Sequence, residues 1–143
     1  MKAHCYTLFF ICFISLTNAQ VAGRCKTETD KESKREYYTI ADINGSTPFG
    51  FSMIEFMQAN FRLPAEKTYK KKDKISFAWL IEPNGTLTFL KMLSLKDDKE
   101  IADEVKRIVS LMPAYAPAYC GKTKVPYYMD FNIGIEFLKK SQQ

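Results

Sequence analysis

Histidine is almost missing from this sequence: among its 143 residues the single copy is His4. The chain therefore lacks, beyond its first few residues, the commonest general base and the commonest metal ligand at neutral pH. Glycine is sparse at 6 copies. None of these glycines forms the loop that cradles a phosphate or the G-x-S-x-G turn of a hydrolase. The 4 cysteines, Cys5, Cys12, Cys25 and Cys120, do not fall into the close pairs that bind zinc. Carboxylates are plentiful, but Asp97 and Asp98 read as the start of a helix and not as an acid–base pair. These absences predict a protein that is not an enzyme and that uses no cofactor and no metal. A formal net charge of +5 is too mild for nucleic acid, whose binding needs a dense basic footprint. The densest cluster, Lys70, Lys71 and Lys72 with Lys67 and Lys74, reads as a solvated loop before a strand.

Long apolar runs are missing too. The longest, residues 6–16 (YTLFFICFISL), falls short of the roughly 20 residues that a membrane-spanning helix needs. Lys2 precedes it, and Thr17, Asn18 and Ala19 follow. A positive start, a short apolar core and small residues at the cleavage positions make a secretory signal. Residues 1–19 are therefore expected to be removed after Ala19, which leaves a single exported domain without stable membrane insertion. Cys5 and Cys12 leave with the signal. Cys25 and Cys120 remain in a compartment where disulfides persist, and the spacing of their Cα atoms in the fold decides whether they pair.

Residues 20–36 (QVAGRCKTETDKESKRE) offer almost nothing to bury, so a flexible lead-in is expected there. The domain proper is expected over 37–143. It opens with a short strand over 37–43 and a turn-and-loop cluster over 44–48. Ser52 and Glu55 fit a capping box, and Met53, Phe56, Met57 and Phe61 follow at helical spacing up to Pro64. Ile75, Phe77, Trp79 and Ile81 alternate as a strand does. Glu82, Pro83, Asn84 and Gly85 supply a turn, and Leu87, Phe89 and Leu93 return. A second helix is expected from an Asp97 N-cap to Pro113, with Ile101, Ala102, Val105, Ile108, Val109 and Met112 on its inner stripe. Its outer residues Lys99, Asp103, Glu104, Lys106 and Arg107 read as solvated surface. After an extended connector over 113–118, a last strand is expected over 124–133. Helix, hairpin, helix and strand in this order predict an α+β fold, a two-layer sandwich in which two helices cover one face of a small antiparallel sheet.

An exposed sheet edge offers unpaired N–H and C=O groups to a partner strand. The last strand is the expected edge, with Val125, Tyr127, Tyr128, Met129, Asp130, Phe131 and Asn132 as the partner-binding residues. Pro126, which removes a donor, and the tail residues Lys139 and Lys140 count against free pairing there.

From residue 48 to 137 the order and punctuation of these pieces resemble the TonB C-terminal domain, in the divergent form found in exported proteins. Pro48-Phe49-Gly50 resembles the start of that domain, and Asn60 to Pro64 (NFRLP) its first helix end. Residues 75–85 are similar to its hairpin. The helix ending in Met112-Pro113, with Tyr115 and Pro117 behind it, resembles its most diagnostic segment, and Gly121-Lys122 with Val125-Pro126 its entry into the final strand. Tyr115 stands where the family usually has tryptophan, and the lysine cluster replaces a glycine before the first hairpin strand. The resemblance implies a periplasmic interaction module that binds an extended segment of an envelope protein, such as a TonB-dependent outer-membrane receptor, by strand addition. Two other readings stay open. An uncleaved N-terminus would make the chain a minimal membrane-anchored energy transducer. Pairing of the last strand with its own copy would make a small exported assembly protein that homodimerises.

Overall fold

The strongest alternation in the sequence becomes the centre of the molecule. The computed structural model describes residues 25–41, 50–70 and 72–139. In chain order its elements are β1 (Lys26–Thr29), β2 (Glu36–Ile40), α1 (Met53–Asn60), β3 (Lys74–Ile81), β4 (Leu87–Met92), α2 (Lys99–Leu111), β5 (Ala118–Cys120), β6 (Thr123–Val125), β7 (Tyr127–Gly134) and α3 (Ile135–Lys139). The signal expected over 1–19, the loop expected over 44–48 and Lys140 lie outside the described residues.

The architecture is a mixed α+β domain with a five-stranded sheet in the order β1-β2-β7-β3-β4. β3 pairs antiparallel with β4 on one side and with β7 on the other, the latter from Lys74 opposite Gly134 to Ile81 opposite Tyr127. Period-2 alternation sends Ile75, Phe77 and Trp79, with Ile133, Phe131 and Met129 beside them, to one face. There they meet Met57 and Phe61 of the first helix segment, Ile101, Val105, Ile108 and Val109 of α2, and Ile135 and Leu138 of α3. Each fully buried aliphatic or aromatic side chain of this kind contributes about 1.5–3 kcal/mol.

The helices start where their caps direct. Ser52 Oγ accepts the Glu55 N–H at 3.4 Å. The N-cap of α2 is Asp98 and not the expected Asp97: its Oδ1 accepts the Ile101 N–H at 3.2 Å. The same carboxylate also accepts from Lys67 Nζ at 2.6 Å and from the Tyr69 hydroxyl at 3.2 Å, contacts from distant sequence that fix the cap one residue later. Nor is the outer side of α2 merely solvated. Glu104 accepts the Arg62 N–H at 2.7 Å, and Arg107 donates both to Glu104 and to the Asn60 carbonyl, so this pair ties the end of α1 to α2.

Three expectations change. The lead-in expected to be flexible contains β1 and half of a β1–β2 hairpin, fastened by a Cys25–Cys120 disulfide with Cα atoms 5.9 Å apart. The sheet is not covered on one face alone. Asp30, at the hairpin turn, is buried, and its Oδ1 lies 2.6 Å from Lys91 Nζ on β4. The hairpin therefore crosses the back of β7 and β3, where Ala78 and Leu80 are fully buried and Tyr37 stacks on Tyr128 at 5.3 Å. Hydropathy cannot foresee this, because a disulfide and ion pairs order the segment and not apolar burial. Finally, the last strand divides at Pro126 into β6, which forms a separate ribbon with β5, and β7.

The β3–β4 turn is closed by the Gly85 N–H donating to the Glu82 carbonyl at 2.8 Å, with Gly85 at φ 85°. That left-handed conformation favours glycine. A Cβ here would also collide with the Tyr115 carbonyl, because the Tyr115 N–H donates to the Gly85 carbonyl at 2.9 Å and holds the connector against the turn. Gly85→Ala is expected to cost about 2 kcal/mol or more, from the backbone and the collision together. Urea unfolding measures this, and an unchanged midpoint would contradict the docking of the turn on Tyr115.

Candidate interaction site

The residues expected to receive a partner do not share one environment. Val125 belongs to β6, pairs with Ala118 and is buried. Tyr127 is paired on both sides, to Ile81 in β3 and, in parallel, to Tyr38 in β2. The ring of Tyr128 lies under the hairpin against Tyr37, and burial there raises its hydroxyl pKa, assisted by the Asp130 charge. Met129 and Phe131 are partly buried against the helix-side core. Only Asp130 and Asn132 are exposed. The last strand is thus not a sheet edge along its length, as expected, but an inner strand between β2 and β3 at its start. The cause is β2, which occupies the side where the edge was expected.

Beyond that start no described residue pairs with the outer side of β7. Among the described residues, the only β2–β7 register pair is Tyr38 with Tyr127, and the Tyr38 N–H donates to the Pro126 carbonyl at 2.8 Å. In an antiparallel strand, successive residues direct their backbone groups to opposite sides. Because the Pro126 carbonyl points away from β3, those of Tyr128, Asp130 and Asn132 point the same way. Pro126 has no N–H to lose on the β3 side, so its place in the strand entry does not weaken the β3 pairing.

Beside this stretch lies a cavity of about 430 Å³ lined by Ile54, Lys74, Asn132, Ile133, Gly134 and Phe137, among others. Ile54 of α1 and Phe137 of α3 are 52 % and 50 % exposed, two of the four large apolar side chains left at the surface among the described residues. Gly134 lets the Phe137 ring approach, since a Cβ there would stand 3.3 Å from Phe137 Cδ2. The Gln58 amide donates to the Phe137 carbonyl at 3.2 Å and holds α3 against α1. On the other side of Asn132, a second hollow of about 400 Å³ runs over Lys74, Ser76, Leu93, Asp130 and Phe131, the part of the back face beyond the hairpin. Sequence reasoning missed Ile54 and Phe137. Their signal was an apolar residue off the buried stripe of its helix, visible for Ile54 beside Met53, Phe56 and Met57.

The lysine cluster is partly neutralised. Lys67 pairs with Asp98 at 2.6 Å and with Glu100 at 3.6 Å, and the Asp98 hydrogen bond raises its pKa. Burial would raise the Asp98 carboxyl, but Lys67 and the Ile101 N–H outweigh it and hold it low. The Tyr69 hydroxyl is pushed up to about 12 by burial and by Asp98. No group of three or more His, Cys, Asp or Glu among the described residues could hold a metal ion. No helix there is long and apolar enough to cross a membrane.

No family model matches this chain, and neither a curated protein nor a solved structure matches it.

The turn end of the hairpin that bounds the site is held by charge. Asp30 accepts from Lys91 Nζ, from the Ser33 N–H at 2.8 Å and from Ser33 Oγ at 2.9 Å, and Arg35 Nη2 lies 3.0 Å from the Glu82 carboxylate. The bonds from Lys91, foremost, and from Ser33 hold the Asp30 carboxyl well below the usual carboxylate range despite its burial. A depressed folded-state pKa stabilises the fold fully above the unfolded value, about pH 4, and that contribution falls as pH drops further. Asp30→Asn is expected to cost about 2 kcal/mol at pH 7. The gap to the parent protein should narrow as pH falls from about 4 toward 2. Urea unfolding across that range checks the sign, and a gap independent of pH would contradict the charge pairing.

Proposed function

We propose that this chain is an exported interaction module of the cell envelope, similar to the TonB C-terminal domain, that binds an extended segment of another envelope protein by strand addition. The receiving line is the outer side of β7 from Asp130 to Gly134, shorter than the sequence suggested and displaced toward its C-terminal end. One observation carries the reading. The backbone groups of Asp130 and Asn132 are unpaired among the described residues, and exposed Ile54 and Phe137 border a cavity beside them. Strand addition needs both features: main-chain groups supply hydrogen bonds, and a pocket selects every second side chain. The order of β7, β3 and β4 also supports the reading, because it leaves the last strand outermost among these three, with β2 reaching only its first residue.

An outer-membrane receptor of the TonB-dependent class is the proposed partner, and the periplasm the proposed compartment. The signal-like residues 1–19 and the Cys25–Cys120 disulfide support export. Binding without energy transduction follows if the chain is cleaved after Ala19, because a released domain has no mechanical link to the inner membrane.

Calorimetric titration with synthetic peptides from the periplasm-facing plug ends of such receptors tests the reading. The parent protein is expected to bind. Asn132→Pro removes an outward N–H without removing a β3 hydrogen bond, and it should weaken binding about tenfold or more. If the parent binds none of the peptides, the reading is wrong. Sedimentation that shows a concentration-dependent dimer, abolished by the same substitution, would replace the foreign strand with a second copy.

A further inference from the structure

The β1–β2 hairpin is held to the domain mainly at its ends. Across residues 25–40 only Asp30 and Tyr37 are buried, and every side chain of β1 is exposed. Among the described residues, its pairing to the rest of the sheet is one parallel register pair, Tyr38 with Tyr127. At the far end Asp30 reaches Lys91 and Arg35 reaches Glu82. At the near end the Cys25–Cys120 bond joins the hairpin to β5. A segment with so little buried apolar area and so few backbone bonds to its neighbour belongs to the low-stability end of local opening. Its closure depends on the tether, which keeps its local concentration over the sheet high. What it covers is significant: Ala78 and Leu80 on the back face, the ring of Tyr128, and the first part of the outward side of β7.

We propose that the hairpin is a redox-held strap. With the disulfide closed, it confines strand addition to the stretch beyond Tyr128. With the disulfide opened, the outward groups of Tyr128 join those of Asp130 and Asn132, and an extended segment gains a longer pairing line. Opening requires a dithiol donor. The S–S bond breaks, Cys25 and Cys120 each take up one electron and one proton as thiols, and the donor closes its own disulfide. Both cysteines are only partly buried, so a thiolate can reach them. The release of the strap stands independently of any partner, whereas its effect on binding rests on the reading in the preceding section.

Amide hydrogen exchange resolved by NMR, before and after treatment with dithiothreitol, tests the strap. Intact mass verifies that the bond has opened. Exchange at Tyr38, whose N–H bonds to the Pro126 carbonyl, should accelerate about tenfold or more, while the β3 amides keep their protection. Unchanged exchange at Tyr38 would overturn the proposal. So would equal acceleration in β3, since the bond would then staple the whole domain. A Cys25→Ser/Cys120→Ser protein must reproduce the reduced pattern, and failure to do so would overturn it as well. Peptide titration then separates the two claims. Binding about tenfold tighter in the reduced form supports gating, and equal binding with a released hairpin refutes gating while the edge reading stands. No binding in either form refutes the edge reading and the gating that rests on it.

Discussion

A strand with apolar side chains on both faces must be covered twice, and β3 is such a strand. Ile75, Phe77 and Trp79 face the helices, and Ala78 and Leu80 face the opposite way; all are buried. The first requirement is met by α1, α2 and α3, which present an apolar stripe to one side of the sheet. The second is met by the N-terminal hairpin, which has little apolar surface of its own. It covers the back face by spanning it, held by the Asp30–Lys91 and Arg35–Glu82 pairs at one end and by the disulfide at the other.

The same constraint shapes the outward side of β7. A hairpin that crosses the back face from β4 must leave the sheet somewhere, and it does so beside Tyr127, where β2 adds one register pair. The part of β7 beyond this point keeps outward backbone groups that no described residue pairs. Proteins usually protect such stretches with charge, bulges or covering loops. The β4 side of the sheet shows these devices: its register shifts next to Trp79, and Lys106 lies 5.8 Å above the Phe89 ring. The stretch of β7 at Asp130 and Asn132 instead borders a cavity flanked by Ile54 and Phe137. That contrast distinguishes the outer side of β7 from the β4 side of the sheet.

Much of the architecture was legible in the residues. The period-2 run from Ile75 to Ile81, the Pro83-Asn84-Gly85 turn, the Ser52 cap and the Ile101–Met112 stripe each carry a local physical cause, and the structure places a matching element at each. The N-terminal hairpin was not legible by the same means. Residues 20–36 read as solvent-loving because the forces that order 25–36 are a disulfide and two ion pairs, whose partners at Cys120, Lys91 and Glu82 are remote in sequence. One signal did point to a cover for the second face: β3 reads KISFAWLI, in which Ala78 and Leu80 break the apolar–polar alternation of a half-exposed strand. The expected site was legible as a strand but not as one with two environments, since β2 pairs at Tyr127 and the Tyr37 ring stacks on Tyr128. Ile54 and Phe137 escaped because an outward apolar residue on a helix is ordinary until a neighbouring strand end makes it part of a surface.

The central claim is that, beyond Tyr128, the described residues pair with β7 on its β3 side alone. Amide exchange in the free, oxidised protein tests it most directly, residue by residue along the strand. The account predicts an alternation: Met129, Phe131 and Ile133, bonded to β3, exchange slowly, while Asp130 and Asn132 exchange at rates close to those of exposed backbone. If Asp130 and Asn132 are as protected as their neighbours, that side of the strand is already occupied in the free protein. A partner strand would then have nowhere to add.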